Sequence, residues 1–129
     1  MAETSLDKLI RGMTPVLQDG VYVFATMKTP PEVDALMRFE EAEGTTLILR
    51  QEVAEAAGIP HEFPCRMITL NVHSALEAVG FIARIATRLA KEGMGVNPVA
   101  GFYHDHLFVP EDRAEDAMRA LDALALDGN

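Results

Sequence analysis

The chain has 129 residues and a mass of 14.1 kDa, the size of one ordinary domain or of two half-sized lobes that share a core. Its 49% hydrophobic and 24% charged residues make a globular composition. Eleven Lys plus Arg against twenty Asp plus Glu give a formal charge of -9, and the cations are scattered singly, which argues against nucleic acid and against an anionic membrane face.

No run approaches the roughly 18 apolar residues of a spanning helix, and the start from Met1 to Arg11 carries Glu3 and Asp7 with no long apolar stretch. Neither membrane insertion nor export is expected. Cys65 is the single cysteine, so there is no disulfide framework and no thiolate metal cluster, which suits a reducing, cytoplasmic compartment.

A short apolar piece, Pro15 to Leu17, is expected to pair as a hairpin with a strand from about Val21 to Met27, entered through Asp19-Gly20 and ended by Thr29-Pro30-Pro31. An imperfect alternation over Leu36 to Glu41 predicts a further strand. Glu43-Gly44 turns into Thr45 to Leu49, whose composition favours a strand, and Glu52 to Ala57 reads as a short helix stopped at Gly58. His61 to Pro64 reads as a linker.

From Arg66 to Val72 the residues alternate, with Ile68, Leu70 and Val72 on one face and Met67, Thr69 and Asn71 on the other. Ser74 followed by Glu77 has capping-box spacing and predicts a helix from Ala75, with Leu76, Val79, Ile82, Ala83, Ala86, Leu89 and Ala90 as its inner stripe and Gly93 as its stop. Gly95 to Ala100 is then a strand, His104-Asp105 a turn, and His106 to Val109 an antiparallel return. Pro110, Glu111 and Asp112 open a last helix that buries Ala114, Ala117, Met118, Leu121, Leu124 and Ala125.

The second half is therefore β-α-β-β-α, one strand short of a ferredoxin-like unit. The expected architecture is α+β, with an incomplete N-terminal lobe over residues 13–60 that completes or extends the sheet of a C-terminal lobe over residues 65–125.

The stretch His73-Ser74-Ala75-Leu76-Glu77-Ala78-Val79-Gly80-Phe81-Ile82-Ala83-Arg84-Ile85, followed by Leu89 to Asn97, resembles an ACT domain of the aspartate-kinase type. Residues 13–125 as a whole resemble small bacterial ACT-domain-containing proteins of uncharacterised function. Glu43-Gly44-Thr45-Thr46-Leu47-Ile48-Leu49 and the run from Val99 through Gly101-Phe102-Tyr103-His104-Asp105-His106 to Pro110 carry that resemblance. It implies two ACT-like halves, tandem or intertwined, and a small-molecule-binding regulatory module, for an amino acid or related metabolite. It also implies self-association as a homodimer. On the resemblance, Ser74, Val79 and Gly80 match the ligand loop and helix start, and Asn97 matches the strand opposite. Val79-Gly80 stands where the aspartate-kinase pattern commonly has Pro-Gly.

Catalytic groups do not assemble. His104, Asp105 and His106 could meet a metal by composition, but no further ligand follows at a suitable interval, and a tight turn with Asp105 capping its own backbone fits better. Cys65 adjoins Arg66, yet strand neighbours point to opposite faces, so a core thiol is the simpler reading. Gly93-Met94-Gly95 lacks the rest of a nucleotide loop. The chain is thus expected to be no enzyme and to need no cofactor, with a non-catalytic protein-interaction adaptor as the alternative to a ligand-binding module.

Overall fold

The computed structural model describes residues 5–128. In chain order these form α1 (Leu6–Gly12), β1 (Thr14–Leu17), β2 (Tyr22–Met27), β3 (Met37–Glu41), β4 (Gly44–Arg50), α2 (Gln51–Ala56), β5 (Glu62–Asn71), α3 (Phe81–Lys91), β6 (Asn97–Ala100), β7 (Asp105–Pro110), a 3-10 turn (Glu111–Arg113) and α4 (Ala114–Asp127). They divide into two compact units, one spanning Gly20–Cys65 and the other formed by the residues up to Asp19 together with those from Arg66. Among the described residues no helix is long and apolar enough to cross a membrane.

In the Gly20–Cys65 unit the strand order is β3-β4-β2-β5, all antiparallel. The β-branched run in β4 buries Leu47 and Leu49 against Val23, Ala25, Ala54 and Ile59. The hairpin into β4 needs Gly44, because a Cβ there would lie 3.1 Å from the Met27 carbonyl oxygen. Helix α2 follows β4 with no intervening loop, and the Gln51 amide donates to the Val21 carbonyl at 2.9 Å. Gly58, at φ +66, ends it as the sequence predicts.

Residues 62–64, expected to be linker, open β5 instead. Tyr22 and Phe24 on β2 face Cys65 and Glu62, so β5 carries an extra residue, a bulge. The bulge absorbs Phe63, at φ +60, whose ring packs edge-on against Phe24 at 5.8 Å. Pro64 and this positive φ hide the strand from a period-2 reading.

In the other unit the order is β1-β5-β7-β6. The N-terminal segment does supply the missing fourth strand. The hairpin between the Pro15 piece and β2 does not form: β1 pairs antiparallel with the later part of β5, Thr14 opposite Asn71 and Leu17 opposite Ile68. That pairing lays Leu17 on the larger core, where Ile68 and Leu70 already point. Helices α1, α3 and α4 fill that core with Leu9, Ile10, Phe81, Ile85, Leu89, Leu121 and Leu124, each such burial worth roughly 1.5–3 kcal/mol.

Two local readings are corrected. Helix α3 starts at Phe81 and not at Ala75, its N-cap being Gly80 at φ +89. Leu76 and Val79, expected in its inner stripe, are 71% and 83% exposed, and the buried spacing is Phe81, Ile85, Leu89. The capping box fails because Ser74 Oγ donates to Asp105 Oδ2, at 3.2 Å, and so serves a tertiary contact. The turn before β7 likewise falls one step earlier than expected. The Gly101 amide donates to the His104 carbonyl at 2.9 Å, and Asp105 is the first residue of the strand and caps no backbone of its own.

Each unit by itself has the ferredoxin-like arrangement of strand, crossover, hairpin, helix and closing strand. In the first unit the crossover is residues 28–36. In the second it is the loop 72–80 followed by α3.

Candidate functional site

The loop 72–80 brings the chain from the end of β5 to the start of α3. Gly80 caps α3 with backbone alone; no side chain satisfies the first-turn amides. Those amides carry the positive end of the helix dipole and suit a carboxylate or other anion. The residues of that turn line a hollow of about 220 Å³ whose walls include Ser74, Gly80, Phe81, Ile82, Ala83, Ala100, Gly101 and Asp105.

Asp105 supplies the opposite polarity. Its residue is only 9% exposed, and Oδ2 accepts from Ser74 Oγ at 3.2 Å. A carboxylate offers oxygen acceptors to a cation or a donor. The hollow thus pairs an anion-seeking helix start with a cation-seeking carboxylate.

A second hollow of about 310 Å³ adjoins it, sharing Ser74, Ala75 and Leu76 and adding His73, Glu77 and Phe102. The His73 and Tyr103 rings lie 5.4 Å apart, and Phe102 meets Tyr103 edge-on at 5.1 Å.

Of the residues singled out in the sequence, Ser74 and Gly80 line the first hollow. Val79 is 83% exposed and is not among the residues that line it. Asn97 pairs with Phe108 at the start of β6, whereas Ala100 at the other end of the strand lines the hollow. At about 3.3 Å per residue that places Asn97 on the order of 10 Å from Ala100. The sequence places Asp105 in a turn, and no local pattern marks it for the hollow that it lines.

The histidines are engaged in structure. His106 Nδ1 meets Thr69 Oγ1 at 3.0 Å, and Thr69 Oγ1 also accepts from Gln18 Nε2 at 3.0 Å. Burial holds the His106 pKa below the usual imidazole value, the nearby His104 adds to this, and Asp105 opposes it. His104 Nδ1 lies 3.4 Å from the Val72 carbonyl oxygen. Among the described residues no three His, Cys, Asp or Glu side chains converge as metal ligands. Cys65 is buried, with Sγ donating to the Tyr22 carbonyl at 3.3 Å.

An ACT domain profile matches residues 1–66 and a second matches residues 62–123. Among solved structures, the chain is 41% identical to a protein of unknown function from Vibrio cholerae described as a possible transport protein. The match covers 95% of this chain and 97% of that one, with a TM-score of 0.86. It shares its fold with a protein from Agrobacterium tumefaciens (15% identity, 88% and 89% coverage, TM-score 0.74). It also shares its fold with the ligand-free regulatory subunit of aspartate kinase from Thermus thermophilus (12% identity, 84% and 94% coverage, TM-score 0.64). No curated protein matches. The two profile matches meet within β5, the strand that leaves one ferredoxin-like unit and enters the next, and the chain belongs to the ACT domain family as a tandem pair.

Proposed function

We propose that the chain is a non-catalytic regulatory module that binds a free amino acid in the hollow between the 72–80 loop, the start of α3 and Asp105. One observation carries this reading: a helix start without a side-chain cap and the buried residue Asp105 line the same hollow. The helix amides would take the ligand carboxylate and Asp105 its ammonium. A volume of about 220 Å³ exceeds by far the 10–15 Å³ that one water needs and falls below drug-sized pockets, so it suits a small metabolite.

The fold shared with the aspartate kinase regulatory subunit supports regulation over catalysis. Ser74 holds Asp105 in place, and Gly80 keeps the helix start open. Val79 and Asn97 belong to the proposal only if a second copy completes the site. The same reading makes the chain a homodimer and puts it in the cytoplasm, where the Cys65 thiol stays reduced. Sedimentation equilibrium showing only 14.1 kDa at all concentrations would remove the dimer.

Calorimetry and thermal shift with the twenty amino acids test the site. Binding should be saturable, weakened at least tenfold by Asp105→Asn, and blocked by Ala83→Leu, which fills the hollow from an exposed helix position. If Asn97→Ala also weakens binding, the site takes residues from a second copy. No binding by a folded sample, together with a co-purifying protein, would favour the adaptor reading.

A further inference from the structure

We infer that β3 is the surface through which two copies of this chain associate, the two strands lying antiparallel about a two-fold axis level with Phe39. The inference rests on the homodimer in the reading above and not on its ligand, and it adds the interface.

Among the described residues three strands have a neighbouring strand on one side only: β3 in the Gly20–Cys65 unit, and β6 and β1 in the other. A free strand side takes up another strand where its amides can donate and its side chains allow the approach. β6 carries Pro98 and β1 carries Pro15, and each proline removes an amide from a strand of four residues. β3 runs Met37-Arg38-Phe39-Glu40-Glu41 with every amide intact. It also presents Phe39, a large apolar side chain that is 62% exposed.

The side chains of β3 select what it pairs with. Arg38 stands opposite Leu47 and Glu40 opposite Thr45, so both lie on the face of the sheet where Leu47 shares a core with Ala54 of α2. Thr45 Oγ1 donates to Glu40 Oε2 at 3.3 Å, in keeping with that placement. Phe39, opposite Thr46, lies on the other face.

Residues directly opposite in an antiparallel pair share a face, so the axis of a symmetric pair lies level with a residue and not between two. Level with Phe39, it sets Arg38 of each copy against Glu40 of the other and the two Phe39 rings against each other. Level with Arg38 or with Glu40, it sets like charges directly opposite, which destabilises the pairing. Arg38-Phe39-Glu40 is therefore complementary to itself in this register alone. A ladder of five residues spans about 17 Å, short for a standard interface, so the dimer is reversible and dissociates in the micromolar range.

The test is sedimentation equilibrium of the full chain at low ionic strength, where exposed charges are least screened, from about 1 μM to about 1 mM. Arg38→Glu and Glu40→Arg, each alone, should weaken self-association at least about tenfold, because each turns both charge pairs repulsive. An equimolar mixture of the two variants should associate as tightly as the wild type, since every pair across the axis is then again of opposite charge. Both positions are exposed, and an unchanged melting temperature at low concentration confirms that each variant folds. A wild-type dimer that neither variant weakens would overturn this interface and leave the homodimer standing. Two monomeric variants that fail to associate on mixing would overturn the pairing about Phe39. A wild type that stays at 14.1 kDa throughout would overturn interface and homodimer together.

Discussion

Residues 28–36 and residues 72–80 with α3 occupy the same place in the two ACT units, each joining the first strand to the hairpin. The first crossover holds Pro30 and Pro31 and returns to a strand at Met37, too soon for a helix to form behind the prolines. The second is long enough for the loop and for an 11-residue helix. Both leave a hollow. The one along Pro30, Pro31, Glu32, Val33, Asp34 and Arg38 is wide, about 530 Å³, but has no helix start and no buried acid. The lesson is that the ACT topology provides a place for a site twice, while the helix that polarises it is present once.

The strongest way to break this comparison is to remove the packing of that helix. Ile85→Ala deletes a fully buried side chain that anchors α3 in the larger core, and should cost about 2–5 kcal/mol in urea unfolding. A loss below about 1 kcal/mol would mean that α3 is not held as the core implies. Amino-acid binding, if it uses the α3 amides, should weaken in parallel.

Gly80→Ala probes the helix start more narrowly. A Cβ at Gly80 would meet Leu6 Cδ2 at 3.4 Å and Cδ1 at 4.0 Å, ordinary contacts, so the expense is the left-handed backbone at φ +89, about 1–2 kcal/mol. Gly58→Ala, at φ +66 with open space around it, should cost a similar amount in the other unit without touching ligand affinity. Equal effects of the two variants on binding would remove the distinction between the crossovers. Ser74→Ala should cost roughly 1–3 kcal/mol by leaving the buried Asp105 carboxylate without its donor. A ligand ammonium should recover part of that loss, seen as a larger ligand-induced rise in melting temperature than in the wild type.

Much of the fold was legible because its signals are local. The β-branched composition of β4, the alternation of Ile68, Leu70 and Val72, the Gly58 and Gly93 stops and the stripe of α4 all lie within a few residues of the element they define. Helix α1 lies outside the elements expected from the sequence, although Leu6, Leu9, Ile10 and Met13 have helical spacing after a Ser5 cap. The site was half legible. Ser74 and Gly80 are marked by the sequence, but Glu77 completes a capping box that makes Ser74 look like the cap of a local helix. Its actual partner, Asp105, lies 31 residues away and is brought close only by the strand arrangement. No short-range pattern reveals that a tertiary acceptor outcompetes a cap.

The smallest expected effect concerns His106, which ties the strands beneath the site. On β7 it meets Thr69 of β5, which in turn meets Gln18 beyond the end of β1; the charged or titratable groups nearest it are its neighbours His104 and Asp105. Burial lowers its pKa, so in the window between the folded value and about 6.5 the unfolded chain holds the extra proton. Stability must then rise with pH across that window: the contribution is fully present above about 6.5 and is lost as pH falls through the depressed folded value. His106→Asn keeps a polar group within reach of Thr69 and removes the titration. Urea unfolding from pH 8 to pH 5 should show a wild-type decline below about 6.5 that is shallower in His106→Asn, with the two curves converging in slope at pH 8. Parallel curves over the whole range would mean that His106 titrates alike in the folded and unfolded chain, and that burial beneath the candidate site leaves no electrostatic trace.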